Sequence, residues 1–149
     1  MRRTPRQICK AVMAAAMMAG GLAWPVLADG DAPRRVVSVN LCTDQLAMAL
    51  AAPGQLISVS YLAADPAYSL MVDQARDYPA NMVLAEDVYL LRPDLVLAGS
   101  FTSPATLSML ERLGIPVLRV EPAYALADVR AGLGQMGAAL PREAAAAAM

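Results

Sequence analysis

Four aromatic and three small polar side chains lie just beyond short apolar runs in this chain of 149 residues. Asn40 follows VVSV, Tyr61 and Tyr68 follow LISVS, Ser100, Phe101 and Thr102 follow LVLAG, and Tyr124 follows IPVLRV. Aromatic faces stack on flat surfaces, while amide and hydroxyl groups hydrogen-bond a polar rim. Residues of these types at strand ends point to ligand binding rather than to bond breaking.

The chain has no His. No Ser-His-Asp or Cys-His pair can be built, and zinc sites lose their commonest ligand. The carboxylates lack the convergent spacing of a metal site. Asp65 is expected to cap its own turn and Asp94 to bind amides between Pro93 and the next strand. Neither a metal nor a cofactor is expected. Gly132-Leu133-Gly134-Gln135-Met136-Gly137 satisfies G-x-G-x-x-G, but dinucleotide binding requires those glycines directly after a strand, where helix amides meet a pyrophosphate. Here they fall inside a helical pattern about ten residues past Val120, so they are read as small residues for close helix packing.

The elements that must position these side chains alternate in type. Val36 to Val39 is a β-branched strand and Asn40 a helix N-cap, followed by Leu46, Ala49 and Leu50 at helical spacing. Pro53-Gly54 closes that helix before a strand from Leu56. A loop covers Ser60 to Ser69, a helical piece lies near Leu70 to Ala75, and Tyr78 to Leu84 is extended. Ala85 onward is a short helix with Val88, Leu90 and Leu91 on its apolar side, stopped at Pro93. Leu95 to Ala98 is apolar without alternation, the mark of a strand covered on both faces in a parallel sheet. Pro104 starts a helix that Gly114 ends as its C′ residue. Ile115 to Val120 is another buried strand, and Val129, Leu133, Met136 and Leu140 form one apolar stripe on the helix from Leu126. Pro141 interrupts it, and Glu143 to Met149 begins a further helix.

This pattern predicts an α/β fold, a Rossmann-like three-layer lobe with a mostly parallel sheet. In such sheets ligands bind at the carboxyl edge of the strands, where the seven side chains above converge.

Arg2, Arg3, Arg6 and Lys10, then an apolar core from Ala11 to Ala23 and a small-residue site at Val26-Leu27-Ala28, read as a cleavable signal peptide over residues 1–28. The apolar run is shorter than the roughly 20 residues of a membrane-spanning helix. Cleavage removes four of 12 basic residues and none of 13 acidic ones, leaving eight against 13 and a net charge of −5. Nucleic-acid binding is disfavoured, because phosphate neutralisation needs a basic surface. Cys9 leaves with the signal, so Cys42 has no intramolecular partner and is read as a small buried residue near a helix start.

RRVVSVNLCTDQLAMAL (Arg34 to Leu50), VSYLAADPAYS (Val59 to Ser69) and AEDVYLLRPDLVLAGSFT (Ala85 to Thr102) together resemble the amino-terminal lobe of periplasmic substrate-binding proteins of ABC importers for cobalamin, ferric siderophores and haem. The resemblance runs from about Arg34 to the end. It implies a non-enzymatic, periplasmic solute-binding role for a metal-chelate ligand, with Tyr61, Tyr68, Phe101 and Tyr124 stacking on a macrocycle or on catechols and Asn40, Ser100 and Thr102 at its rim. It also implies that Glu86 docks to arginines of the inner-membrane permease. Haem-binding members use an axial Tyr close to Tyr78, which stands one residue off that register. Residues 29–140 would form the lobe and 141–149 the start of a truncated inter-lobe helix, with the second lobe absent. Two other readings are an inactive remnant or interaction domain without a small ligand, and a Rossmann-like enzyme.

Overall fold

A computed structural model describes residues 32–149. The signal peptide expected over residues 1–28 lies outside the described residues. Five strands, β1 (Val36–Ser38), β2 (Leu56–Ser60), β3 (Ala80–Asn81), β4 (Leu95–Gly99) and β5 (Val117–Val120), form one sheet in the order β3-β2-β1-β4-β5. Every pairing is parallel. The chain steps outward from β1 to β3, then returns to place β4 on the other side of β1. The direction of winding therefore reverses between β1 and β4, where open α/β sheets leave a crevice for ligands.

Alternate side chains of the central strands enter two separate cores. Val36 and Leu97 face one, with Ala47 and Leu50 of α1 (Leu41–Leu50) and Leu133 and Met136 of α5 (Leu126–Ala139). Val37, Val39, Val96 and Ala98 face the other, with Ala85 and Val88 of α3 (Ala85–Leu90) and Leu107 and Leu110 of α4 (Pro104–Arg112). Val96 is 0% exposed, as its apolar run requires. The short α2 (Val72–Ala75) and α6 (Glu143–Ala147) pack on the α1 side through Ala75 and Ala146. The result is the expected three-layer α/β lobe. Among the described residues, no helix is long and apolar enough to cross a membrane.

The punctuation follows local chemistry. Asn40 caps α1 by accepting from the Cys42 amide at 3.0 Å, and Ser103 caps α4, with Pro104 in the first turn. Gly114 ends α4 at φ +77°, a conformation that needs no Cβ. Arg92, ahead of Pro93, leaves the helical region for φ +49°, and the helix before it stops.

Two expectations need correction. Cys42 is exposed, because Thr43, Asp44, Ala47 and Leu50 are the α1 residues turned to the sheet. The α5 stripe is buried only in its second half: Leu133, Met136 and Leu140 are covered, whereas Leu126 and Val129 are exposed. Beneath them β5 is a four-residue edge strand, only partly covered itself, so it offers little apolar surface to the helix's first turns. The glycine motif lies within α5, away from any strand end. A Cβ on Gly137 would stand 2.6 Å from that of Ala146, so its small size lets α6 approach, as expected of a packing motif.

Candidate functional site

All helices but α6 leave the carboxyl ends of strands, so five connections meet at one edge. From β3 across to β5 they carry Met82, Tyr61, Asn40, Ser100 with Phe101, and Glu121 with Tyr124. Neighbouring strands lie about 4.8 Å apart. Tyr61 and Ser100, each one strand from β1, therefore flank Asn40 at the winding reversal. Phe101 is 82% exposed, Tyr124 86%, Tyr68 65% and Tyr61 45%. Rings left in water are apolar surface that a partner could cover.

Gly99 makes the central crevice possible. A Cβ there would lie 2.7 to 2.9 Å from three atoms of the Asn40 side chain, so only glycine lets Asn40 lie across the end of β4. Asn40 Oδ1 is occupied by the cap. Its Nδ2 has no hydrogen-bond partner among the described residues and is free for a ligand. Ser100 donates its hydroxyl to Glu121 Oε2 at 2.6 Å, tying the ends of β4 and β5 together while leaving its oxygen able to accept. A hollow of about 240 Å³ lies there, lined by Gly99, Ser100, Thr102 and Glu121 among others.

Thr102, expected at the ligand rim, has a different task. It is buried, and its hydroxyl accepts from the Gly99 amide at 3.2 Å. It shapes the loop that carries Phe101, with its hydroxyl turned inward to the protein. Tyr78 precedes β3, half-buried against the α1-side core and away from the carboxyl edge. Glu86 is exposed in the first turn of α3, with Asp87 beside it, where the helix dipole favours a carboxylate. Asp65 caps its turn through the Ala67 amide at 2.8 Å. Asp94 accepts from the amides of Arg34 and Arg35 at 2.7 and 2.9 Å, so it anchors the entry to β1 rather than to β4.

Beneath the edge runs a buried polar layer that the sequence reading did not single out. Asn81 Nδ2 donates to Ser38 O, Ser58 Oγ and Val59 O, each at 2.9 Å, and stitches β3, β2 and β1. Asp44, fully buried in α1, accepts from the Ser60 amide at 3.1 Å and the Ser60 hydroxyl at 2.5 Å. Ser60 immediately precedes Tyr61, so this carboxylate fixes the root of the aromatic loop. Burial raises the Asp44 carboxyl above its ordinary value, with hydrogen bonds from the serines pulling the other way. The signal available in the sequence was one carboxylate on the otherwise small and apolar inner face of α1.

A larger hollow, about 540 Å³, lies at the opposite edge around Pro33 and Asp94. It is an open depression whose carboxylate is already bonded to two amides, and no free polar group converges on it, so the smaller carboxyl-edge crevice is the better site. Among the described residues, no group of three His, Cys, Asp or Glu side chains could hold a metal ion.

The fold is a doubly wound parallel lobe with an open crevice at its strand ends. The solved structures it resembles are periplasmic binding proteins. A periplasmic haem-binding protein from Pseudomonas aeruginosa matches with TM-score 0.66 and 24% identity over 78% of this chain and 41% of that one. The periplasmic haem-binding protein BhuT in complex with two haems matches with TM-score 0.64 and 25% identity, over 76% of this chain and 44% of that one. The periplasmic vitamin B12 binding protein BtuF of Vibrio cholerae matches with TM-score 0.62 and 20% identity, over 78% and 45%. This chain therefore spans less than half the length of the solved proteins it matches. No family model matches the chain. No curated protein matches it either.

Proposed function

We propose that this chain is the solute-binding component, or one lobe of it, of an ABC importer for a metal-chelate ligand such as cobalamin, a ferric siderophore or haem, and that it works in the periplasm after cleavage of residues 1–28. The observation that carries the reading is the set of exposed aromatics around the β1–β4 reversal, on a fold shared with solved haem- and vitamin B12-binding proteins. Tyr61, Tyr68, Phe101 and Tyr124 supply faces for a planar chelate, and Asn40 and Ser100 supply polar contacts at its rim. The role is binding: the edge offers an amide and hydroxyls for a ligand's rim, and its one hydroxyl–carboxylate pair, Ser100 with Glu121, ties the ends of β4 and β5 together. Glu86, exposed at the start of α3, is the residue proposed to dock to arginines of the permease.

Calorimetric titration of the chain with cyanocobalamin, haemin and a ferric siderophore tests this reading, since Trp24, the one Trp, lies in the segment to be cleaved. One wall supplies only part of a ligand's contacts, so binding in the high micromolar range is expected. No heat with any of the three at about millimolar concentration overturns the proposal. Glu86→Ala should leave these titrations unchanged and weaken only association with the permease.

A further inference from the structure

Arg119 of β5 and Glu121, just past its end, point to the α4 side of the sheet. Val117 before them packs against the core on that side, as strand alternation requires, and Arg119 reaches Glu111 of α4 at 2.7 Å. Both side chains line the hollow of about 240 Å³ at the carboxyl ends of β4 and β5, with Gly99, Ser100, Pro104 and Leu107. Opposite charges on one hollow ordinarily pair with each other. Here each is held by a different partner: Glu111 takes one N–H of the Arg119 guanidinium, and Ser100 donates to Glu121 Oε2 at 2.6 Å.

Among the described residues, Glu121 Oε1 accepts from no group and the other N–H groups of Arg119 donate to none. The hollow thus offers free donors and a free acceptor that are kept apart, with Ser100 Oγ as a further acceptor. Pro104 and the buried Leu107 give it an apolar side. Its size decides how much of a ligand it takes. A pocket for a whole small ligand measures roughly 300–1,000 Å³, so this one admits a side arm and not a ring. Phe101 follows Ser100 directly, so an arm seated here belongs to a ring laid against Phe101.

The charges decide the chemistry of the arm. A carboxylate gains from Arg119 and is repelled by Glu121, and an ammonium meets the reverse. A primary carboxamide satisfies both, its oxygen accepting from Arg119 and its N–H donating to Glu121 Oε1, with no net charge to oppose either. We infer that the β4–β5 hollow is a subsite for a primary carboxamide arm on the rim of the flat chelate. The edge then prefers an amide-rimmed macrocycle to the same ring bearing esters or carboxylates. The inference rests on the proposed function and narrows its ligand class.

Corrins with one ring and different rims test the subsite on the whole chain. The probes are dicyanocobinamide, whose rim carries primary amides, dicyanocobyrinic acid, in which carboxylates replace them, and its methyl ester, which accepts hydrogen bonds but donates none. Each is titrated by calorimetry at about 0.15 M salt. Cobinamide should bind about five- to tenfold more tightly than either of the others, the worth of a hydrogen bond to a partly exposed charged group. Glu121→Leu should bring amide and ester within about twofold of each other and tighten the carboxylate, whose repulsion it removes. Arg119→Met keeps the apolar stem and should weaken amide and carboxylate together without moving the thermal transition, because an exposed ion pair contributes little to stability. Equal affinity for amide and ester in the unaltered chain overturns the subsite, as does an amide advantage that survives Glu121→Leu. Binding of haemin with no corrin bound overturns the subsite alone. Failure of haemin and of all three corrins to bind overturns both this inference and the reading of the edge as a ligand wall.

Discussion

The amino and carboxyl edges of one sheet are built from the same kinds of residue and finished in opposite ways. At the amino edge the polar groups are spent on the protein itself. Asp94 holds two amides, Arg35 donates to Leu91 O and Arg92 O at the end of α3, and Gln55 joins the Ala52 amide to Pro33 O and Leu140 O. At the carboxyl edge the satisfied layer lies one step below the surface, in Asn81, Asp44 and Thr102, and the side chains above it are left open. A fold that closes one edge and supports the other from beneath holds its loops still while keeping their tips free, which is what preorganised binding requires. Substitutions should therefore separate by edge, with stability lost below and at the amino side and ligand affinity lost at the carboxyl tips.

Both edges depend on the central strand, where the largest effect is expected. Val96→Asp places an unpaired carboxylate between the sheet and α3–α4 and should destabilise by more than about 3 kcal/mol, read from urea unfolding. Near-normal stability would break the comparison at its base. Next comes the support layer. Asp44→Ala leaves the Ser60 amide without its partner and should cost about 1–3 kcal/mol. Asp94→Ala exposes two amides to water rather than burying them and should cost about 1 kcal/mol, with no effect on ligand titrations.

Asp44 also makes the comparison sensitive to pH. Its carboxyl is raised above the ordinary value of 3.8, so the folded chain holds the proton more tightly than the unfolded one. The contribution of this group to stability is then greatest below 3.8 and declines as pH rises through that value to the raised one, after which it is constant. Asp44→Asn keeps an acceptor for the Ser60 amide and removes the titration. The difference between wild type and this variant in unfolding free energy should decline across that window and stay flat to neutral pH. A difference that rises with pH would contradict the assigned direction.

The lobe was legible because parallel α/β units announce themselves locally. The run at Val96, Pro104 and Gly114 at the ends of α4, and Asn40 before α1 each act within a few residues of their own position. What escaped the sequence depends on distant partners. Asp44 and Ser60 are 16 residues apart, and Asn81 reaches Ser38 across 43, so neither pairing has a spacing that periodicity reveals. Thr102 read as a loop hydroxyl open to ligand because nothing local shows that it turns inward to the Gly99 amide. Leu126 and Val129 fitted a helical stripe, yet a stripe states which residues share a face and not whether the sheet extends beneath them. The strand ends were placed correctly, and with them Asn40, Tyr61, Ser100, Phe101 and Tyr124 came to one edge, because sheet topology alone gathers them.

The smallest effect on the fold is the sharpest test of the open edge. Phe101 stands almost wholly in water and Tyr61 about half in water, each beyond the last hydrogen bond of its strand. Truncating Phe101 removes little buried surface, so Phe101→Ala should change unfolding free energy by less than about 0.5 kcal/mol. The same substitution deletes one of the stacking faces proposed for a planar chelate, and base-free aromatic stacking of this kind contributes about 0.5–1.5 kcal/mol. Haemin or cyanocobalamin affinity should thus fall about two- to tenfold in a chain whose thermal transition is unmoved. Tyr61→Ala should show the same split with a slightly larger stability cost, because its ring is less exposed than that of Phe101. Were either variant to lose stability and leave titration unchanged, the exposed aromatics would belong to the protein's own packing, and the distinction between the two edges would disappear.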